Sequence, residues 1–378
     1  MAEAFERLPE IRAEDVADLC LGSVFLATGG GGDPYVNQLL TEAALRSHGP
    51  VALVSPACLA DGDLVLPLGE VGAPTVSLEQ LPVGDEPLTA LARYEAATDR
   101  TVSHLIPFEV GGANSVLPLV AAAARGLTVV DGDGMGRALP EAQMMTFAIA
   151  GVAPTPAVAV DYLGNGVTFD TASVDDYERQ VRHLAMAMGG MIFTAEHGMS
   201  GAKARDCVVP DTLSFAVALG RLLRRRRGEA RTLLPELQAL FAASIYGVVR
   251  HLYTGKVVDI DRRISGGFDV GEATLAPVQG SDEPLKLSIR NEYLLARMGE
   301  QVLASVPDLI IVVDSETCTP INSERLGYGQ RVTVIGVGCP PHYRTEAALK
   351  VVAPRCFGFD LDYVPLEDSV MVSAPGGH

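Results

Sequence analysis

The chain has 378 residues and no tryptophan, an absence that bears on no mechanism. Other shortages exclude more. Basic residues are few: 29 Lys and Arg stand against 47 Asp and Glu, a formal charge of −18. So acidic a chain repels nucleic acid and anionic membranes, and neither is an expected partner. No apolar run approaches the length of a membrane span, and the opening MAEAFERLPEIRAED holds no apolar signal core. The six cysteines, at 20, 58, 207, 318, 339 and 356, form no CxxC pair and no zinc spacing. They read as reduced thiols of a cytoplasmic protein. HExxH and HxH are also missing, so no histidine pair points to zinc.

Nearly half of the residues are apolar, 48%, so the chain can bury a large core, and its length suggests two domains. The densest polar signal inside that apolar background is Val129 to Gln143, VVDGDGMGRALPEAQ. It reads as a buried strand, a tight turn carrying Asp131 and Asp133, and the start of a helix. Gly132, Gly134 and Gly136 allow sharp bends and close approach to a ligand. The plainer reading is a solvated turn with an aspartate at a helix N-cap.

Two more stretches follow a similar plan. Thr28 to Pro34 contains Gly29, Gly30, Gly31 and Gly32 between two helical patterns, Arg12–Ala27 and Asn37–Arg46. It is neither a Walker loop nor a GxGxxG after a strand. Its amides could face an anion or a carbonyl, or it could be a plain linker. His104 to Glu109 reads as a buried strand ending in an acid, and Gly111, Gly112 and Asn114 follow before a helix. Alternating strands and helices from 50 to 150 predict a mostly parallel sheet covered by helices. The strand exits at Glu70, Glu109 and Asp131/Asp133 would then share one rim, where open α/β sheets bind ligands. His197 sits in another glycine-containing loop, where it is either structural or catalytic. The basic run Arg224–Arg227 reads as a solvated helix end, and the tail SAPGGH as disordered. Beyond about residue 245 short β-rich runs predict a barrel-like or sandwich domain. The expected division is an α/β domain over 1–170, then a C-terminal domain over 171–365, helical to 245 and β-rich from 246.

Several of these stretches together resemble a known family. TGGGGDP at 28–34, FEVGGANS at 108–115, VVDGDGMGRALPE at 129–141, RNEY at 290–293, PDLI at 307–310 and FGFDLDYVP at 357–365 are similar to the S-methyl thiohydantoin desulfurase-like family. That family is often encoded beside hydantoinase/oxoprolinase subunits. The resemblance spans almost the whole chain. It implies a three-layer α/β domain followed by a domain with a β-barrel, and hydrolytic release of methanethiol from S-methyl thiohydantoin.

Such a reaction needs a base near the water, an acid near the ring nitrogen and donors for the ring carbonyls. Asp131 and Asp133 are the candidate base and its like-charged neighbour, with Arg137 to orient them. Glu109 and His104 are second candidates for the acid. The amides of Gly29 to Gly32, Gly111 and Gly112, with Asn114, are candidate substrate donors. A divalent metal held by the acids is an alternative cofactor. Cys207 and Cys318 are the alternative nucleophiles. A different class of function is a non-catalytic partner that binds a cyclic amide for a hydantoinase or oxoprolinase. The expected protein is a homo-oligomer.

Overall fold

The computed structural model describes residues 5–72, 81–225, 230–278 and 283–369. The end of the Arg224–Arg227 run, the Ala73–Pro74 exit after Gly72, and the SAPGGH tail fall outside them.

In chain order the first sheet uses β1 (Glu10–Ile11), β2 (Val51–Val54), β3 (Leu64–Gly72), β4 (His104–Pro107) and β5 (Thr128–Val130). Next come β6 (Gly132–Asp133), which pairs elsewhere, then β7 (Ala157–Val160), β8 (Gly166–Phe169), β9 (Met191–Ala195) and β10 (Met199–Ser200). Its order is β1-β2-β5-β4-β3-β9-β7-β8, with β10 beside β3. The sheet is mixed rather than mostly parallel. β2, β5, β4 and β3 run parallel, because helices α3 (Glu86–Thr98) and α4 (Leu117–Arg125) supply the crossovers that parallel pairing needs. The remaining neighbours are antiparallel, and β7 and β8 are joined by a turn of five residues. β9 and β10 complete this sheet although they follow residue 170.

Helix α1 (Val16–Leu26) is largely buried and mostly apolar, as a helix inside a core must be. With α2 (Tyr35–His48), α5 (Thr146–Ile149), α6 (Val174–Ala187) and α7 (Gly201–Cys207) the α-helices are complete up to α8 (Thr212–Arg225), against which α1 lies. The contact is backbone to backbone: a Cβ on Gly22 would strike the Ala216 carbonyl, and one on Gly220 the Asp18 carbonyl. Arg221 and Arg224 of α8 reach back to Asp15 and Asp18, each at 2.6 Å. Arg224 is therefore partly paired, not only a solvated helix end. A short ladder of β6 with β11 (Val209–Pro210) leads the chain into α8.

The C-terminal sheet is antiparallel throughout: β12 (Val249–Ser265), β13 (Phe268–Pro277), β14 (Leu285–Arg290), β15 (Glu292–Met298), β16 (Gln301–Ser305), β17 (Leu309–Asp314) and β18 (Arg331–Val337). The order β16-β15-β14-β13-β12-β18-β17 curls into a half-barrel, not a closed barrel. Bulges in β12 near Val257 and His251 bend it. The three residues between the edge strands β16 and β17 are a docking point for the first domain. There the carbonyls of Pro307 and Asp308 accept hydrogen bonds from Arg137. Among the described residues no helix is long and apolar enough to cross a membrane.

Candidate active site

A cavity of about 680 Å³, open mouth included, lies at the carboxyl ends of β3 and β4. Glu70, at the exit of β3, and Glu109, just past β4, both line it, as do Asn114, Gly31 and Gly32. Asn114 holds the two exits together. Its side-chain oxygen accepts from the Glu70 amide at 2.7 Å, and its side-chain nitrogen donates to Glu109 Oε1 at 2.9 Å. Asn114 is aimed by the 3-10 turn Gly112–Ser115. The second Glu109 oxygen accepts from the Leu139 amide at 3.3 Å.

Burial pushes the Glu109 carboxyl up to about 8, against the lowering effect of Asn114, Leu139 and Arg137; the Asp133 charge raises it further. Burial likewise pushes Glu70 up to about 7, against a hydrogen bond from Asn37, with Glu86 adding to the rise. Two acids on adjacent strand exits are thus poised near neutrality, the range that general acid–base work uses.

The other expected residues do not reach this cavity. Asp131 is turned away: its two oxygens accept from the Ser214 amide at 3.0 Å and the Ser214 hydroxyl at 2.6 Å, in the first turn of α8. Asp133 is fully buried, and its Oδ2 accepts from three amides, those of Val110, Met135 and Gly136. Burial pushes it up to about 7 against those bonds and Thr212. The expected pair does not share a site, because each carboxylate serves a different set of backbone donors. Arg137 orients neither. Its guanidinium, fully buried, donates to the Thr28 hydroxyl at 2.8 Å and to the carbonyls of Ala138, Pro307 and Asp308. It joins the two sheets. His104 stands at the amino end of β4, the opposite rim, bonded to Thr128 and to Asp63 at 3.1 Å.

The glycine run serves packing first. The carbonyls of Gly29 and Gly31 accept from the Ser323 and Ala113 amides. A Cβ on Gly29 would enter the Tyr293 ring, one on Gly30 the Glu292 carboxyl, and one on Gly31 would lie 2.6 Å from the Gly111 backbone. One on Gly112 would strike the Gly31 carbonyl. Gly111 is less crowded, with Ala138 at 3.0 Å from its would-be Cβ.

The far wall holds residues that strand-exit reasoning missed. The Tyr177 hydroxyl of α6 (Val174–Ala187) donates to Glu196, just after β9. His197, completely buried, stands behind it with Nδ1 3.2 Å from Glu196 Oε1. Arg182 is spent on Glu178, at 2.8 Å, and on the Pro140 carbonyl. Arg290 pairs with Glu141, and both arginines stack on Phe268, 4.4 and 4.3 Å from its centroid. Glu292 comes from β15. Its sequence signals were the polar insert Asn291–Tyr293 in a β-rich run and the family-like stretch RNEY at 290–293.

Matches to family models run through both domains. The S-Me-THD-like N-terminal domain matches residues 14–171, and the S-Me-THD-like C-terminal domain matches 172–366. The chain belongs to the S-Me-THD-like family. Its cavity draws on both family domains, with Glu70, Glu109 and Asn114 from the first and Tyr177, Glu196 and Glu292 from the second. Among solved structures, a crystal structure of a protein from Chromobacterium violaceum is similar in fold, with a TM-score of 0.78. The match is 23% identical and covers 94% of this chain and 99% of the other. No curated protein matches the sequence significantly.

The two alternative chemistries find little support in the donor sets. Among the described residues no group of three His, Cys, Asp or Glu side chains could hold a metal ion. Cys207 and Cys318 are buried thiols, both pushed up to about 12 chiefly by that burial. A buried neutral thiol is a poor nucleophile.

Proposed function

We propose that this S-Me-THD-like chain hydrolyses a cyclic amide of the hydantoin/thiohydantoin class, with Glu109 as general acid and Glu70 as general base. The observation that carries the reading is that two carboxyls of raised pKa, Glu70 and Glu109, line one cavity, with Asn114 tying the Glu109 carboxyl to the backbone of Glu70. For an S-methyl thiohydantoin the step balances without a further reactant. Glu70 takes a proton from water as its oxygen bonds to the C=N carbon, and Glu109 gives a proton to the ring nitrogen. The tetrahedral adduct then breaks its C–S bond. The hydroxyl proton of the adduct passes to the departing methanethiolate as the ring carbon becomes a carbonyl, and Glu70 gives its proton back to Glu109 through solvent. Environments that hold two carboxyls in different protonation states are how one site supplies both acid and base.

The test is turnover by the purified chain. Methanethiol is followed with a thiol reagent after correction for the protein's own cysteines, and the hydantoin product by chromatography. Glu109→Gln and Glu70→Gln should each lower the rate about a hundredfold. Parental rates in both variants would refute the assignment. Tight binding of hydantoin without turnover would instead favour a binding partner of a hydantoinase or oxoprolinase.

A further inference from the structure

We propose that Glu292 is a ligand-binding residue of the cavity, supplied by the C-terminal domain, whose free carboxyl oxygen hydrogen-bonds a carbonyl oxygen of the ring. The inference rests on the hydantoin reading above and adds to it a donor from the C-terminal domain. Glu292 lines the cavity and is 2% exposed, and its Oε2 is buried with no hydrogen-bond partner among the described residues. A buried polar atom left unmatched is costly, and a ligand that matches it regains that cost.

Its position is built rather than incidental. Asn291, one residue before, has φ +58, a left-handed conformation that side-chain-bearing residues seldom adopt. Two bonds with Asp269 hold it there: the Asn291 amide donates to the Asp269 carbonyl at 2.7 Å, and its side-chain oxygen accepts from the Asp269 amide at 2.8 Å. The Ser323 hydroxyl closes on the Asn291 carbonyl. On the other side the Tyr293 amide donates to the Thr28 carbonyl at 2.7 Å. The β14–β15 register shifts at this point, between Ser288 and Ile289. Gly30 clears the remaining space, since a Cβ there would occupy the place of Glu292 Oε1. A turn in one domain and a glycine in the other together aim one carboxyl.

The groups facing Glu292 decide its state. Burial and the neighbouring Glu109 raise its pKa well above the ordinary range, outweighing Arg137 and Arg182. A neutral carboxyl has a proton to donate, and an apolar site can keep an acid neutral for that purpose.

Binding of hydantoin itself, by calorimetry at pH 7, tests this without needing turnover. Glu292→Ala should weaken binding about tenfold, whereas Glu292→Gln keeps a donor and should stay within about threefold. Gly30→Ala should reproduce the loss by displacing the carboxyl, and should add little in the Glu292→Ala background. One component of the protonated-carboxyl infrared band should shift when hydantoin binds the parent, and that component should be missing in Glu292→Gln while the part contributed by Glu109 remains. If hydantoin binds the parent and Glu292→Ala equally, this inference fails while the hydantoin reading stands. Equal losses in Glu292→Gln and Glu292→Ala would mean the group acts as an anion, and the donor role fails. If the parent does not bind hydantoin, the two fail together.

Discussion

Replacing Glu109 by glutamine tests the protonation state on which the acid role depends. The Glu109 carboxyl is raised by burial from its ordinary 4.5 to about 8. Below pH 4.5 the folded and unfolded chains both carry the proton. Between 4.5 and 8 the unfolded chain has lost it and the folded chain keeps it, so stability falls as pH rises. Above 8 both are ionised and the dependence ends. The slope inside the window is one proton's worth, about 1.4 kcal/mol per pH unit. A glutamine does not titrate. It meets the Asn114 and Leu139 donors with one oxygen instead of two, a fixed cost of about 1 kcal/mol. The stability difference, variant minus parent, should therefore start slightly negative near pH 5 and climb through zero, gaining several kcal/mol by pH 8. Urea denaturation of both proteins at half-unit steps measures it, and the pH dependence of the other buried acids largely cancels in the difference. A difference that stays constant from pH 5 to 8 would show that folded Glu109 is ionised throughout, and the acid role would fall with it. Parental turnover should correspondingly decline as pH rises past about 8.

Other substitutions separate scaffold from site. Asp131→Ala leaves the Ser214 amide without its acceptor and should cost about 2 kcal/mol of stability, with turnover per folded molecule unchanged; a large loss of kcat would return Asp131 to the site. Gly31→Val forces a side chain into the Gly111 backbone at a φ of +68, so thermal melting should drop steeply before any change in affinity can be read. A variant with the parental melting temperature would contradict that packing. Cys207→Ser and Cys318→Ser should keep parental turnover, since both thiols are buried and neutral at pH 7.

Much of the fold was legible because it rests on local signals. The apolar runs and glycine turns from 50 to 130 marked β2 to β5, and the crossover helices between them required parallel pairing. What the pattern could not show is that β9, some 60 residues after β5, returns to lie antiparallel beside β3. That pairing depends on tertiary position, and a buried strand looks the same in either direction. The half-barrel has a similar history. Short β-rich runs marked β12, β14, β17 and β18, but not β13, β15 and β16, and whether the sheet closes depends on what occupies the gap between β16 and β17. The guanidinium that docks there comes from a turn about 170 residues earlier.

The site divides along the same line, between a carboxyl bonded partly within its own loop and carboxyls bonded from elsewhere in the fold. Asp133 precedes Gly134, Met135 and Gly136, and a short side chain in that setting can bond amides two and three residues on, as the bonds to Met135 and Gly136 show. That signature was present in the sequence and argued for a turn. Glu109 has a longer side chain and reaches no amide of its own loop. Its partners are Asn114 and the Leu139 amide, 30 residues away, and its carboxyl stays on the cavity wall. Asp131 was harder to judge, because the helix start that claims it lies 83 residues on. The useful distinction between acids at strand exits is therefore not their number but their reach. Asp133 is held in part by its own loop, whereas Glu109 is held by Asn114 and Leu139 and Asp131 by Ser214, partners that only the fold brings near.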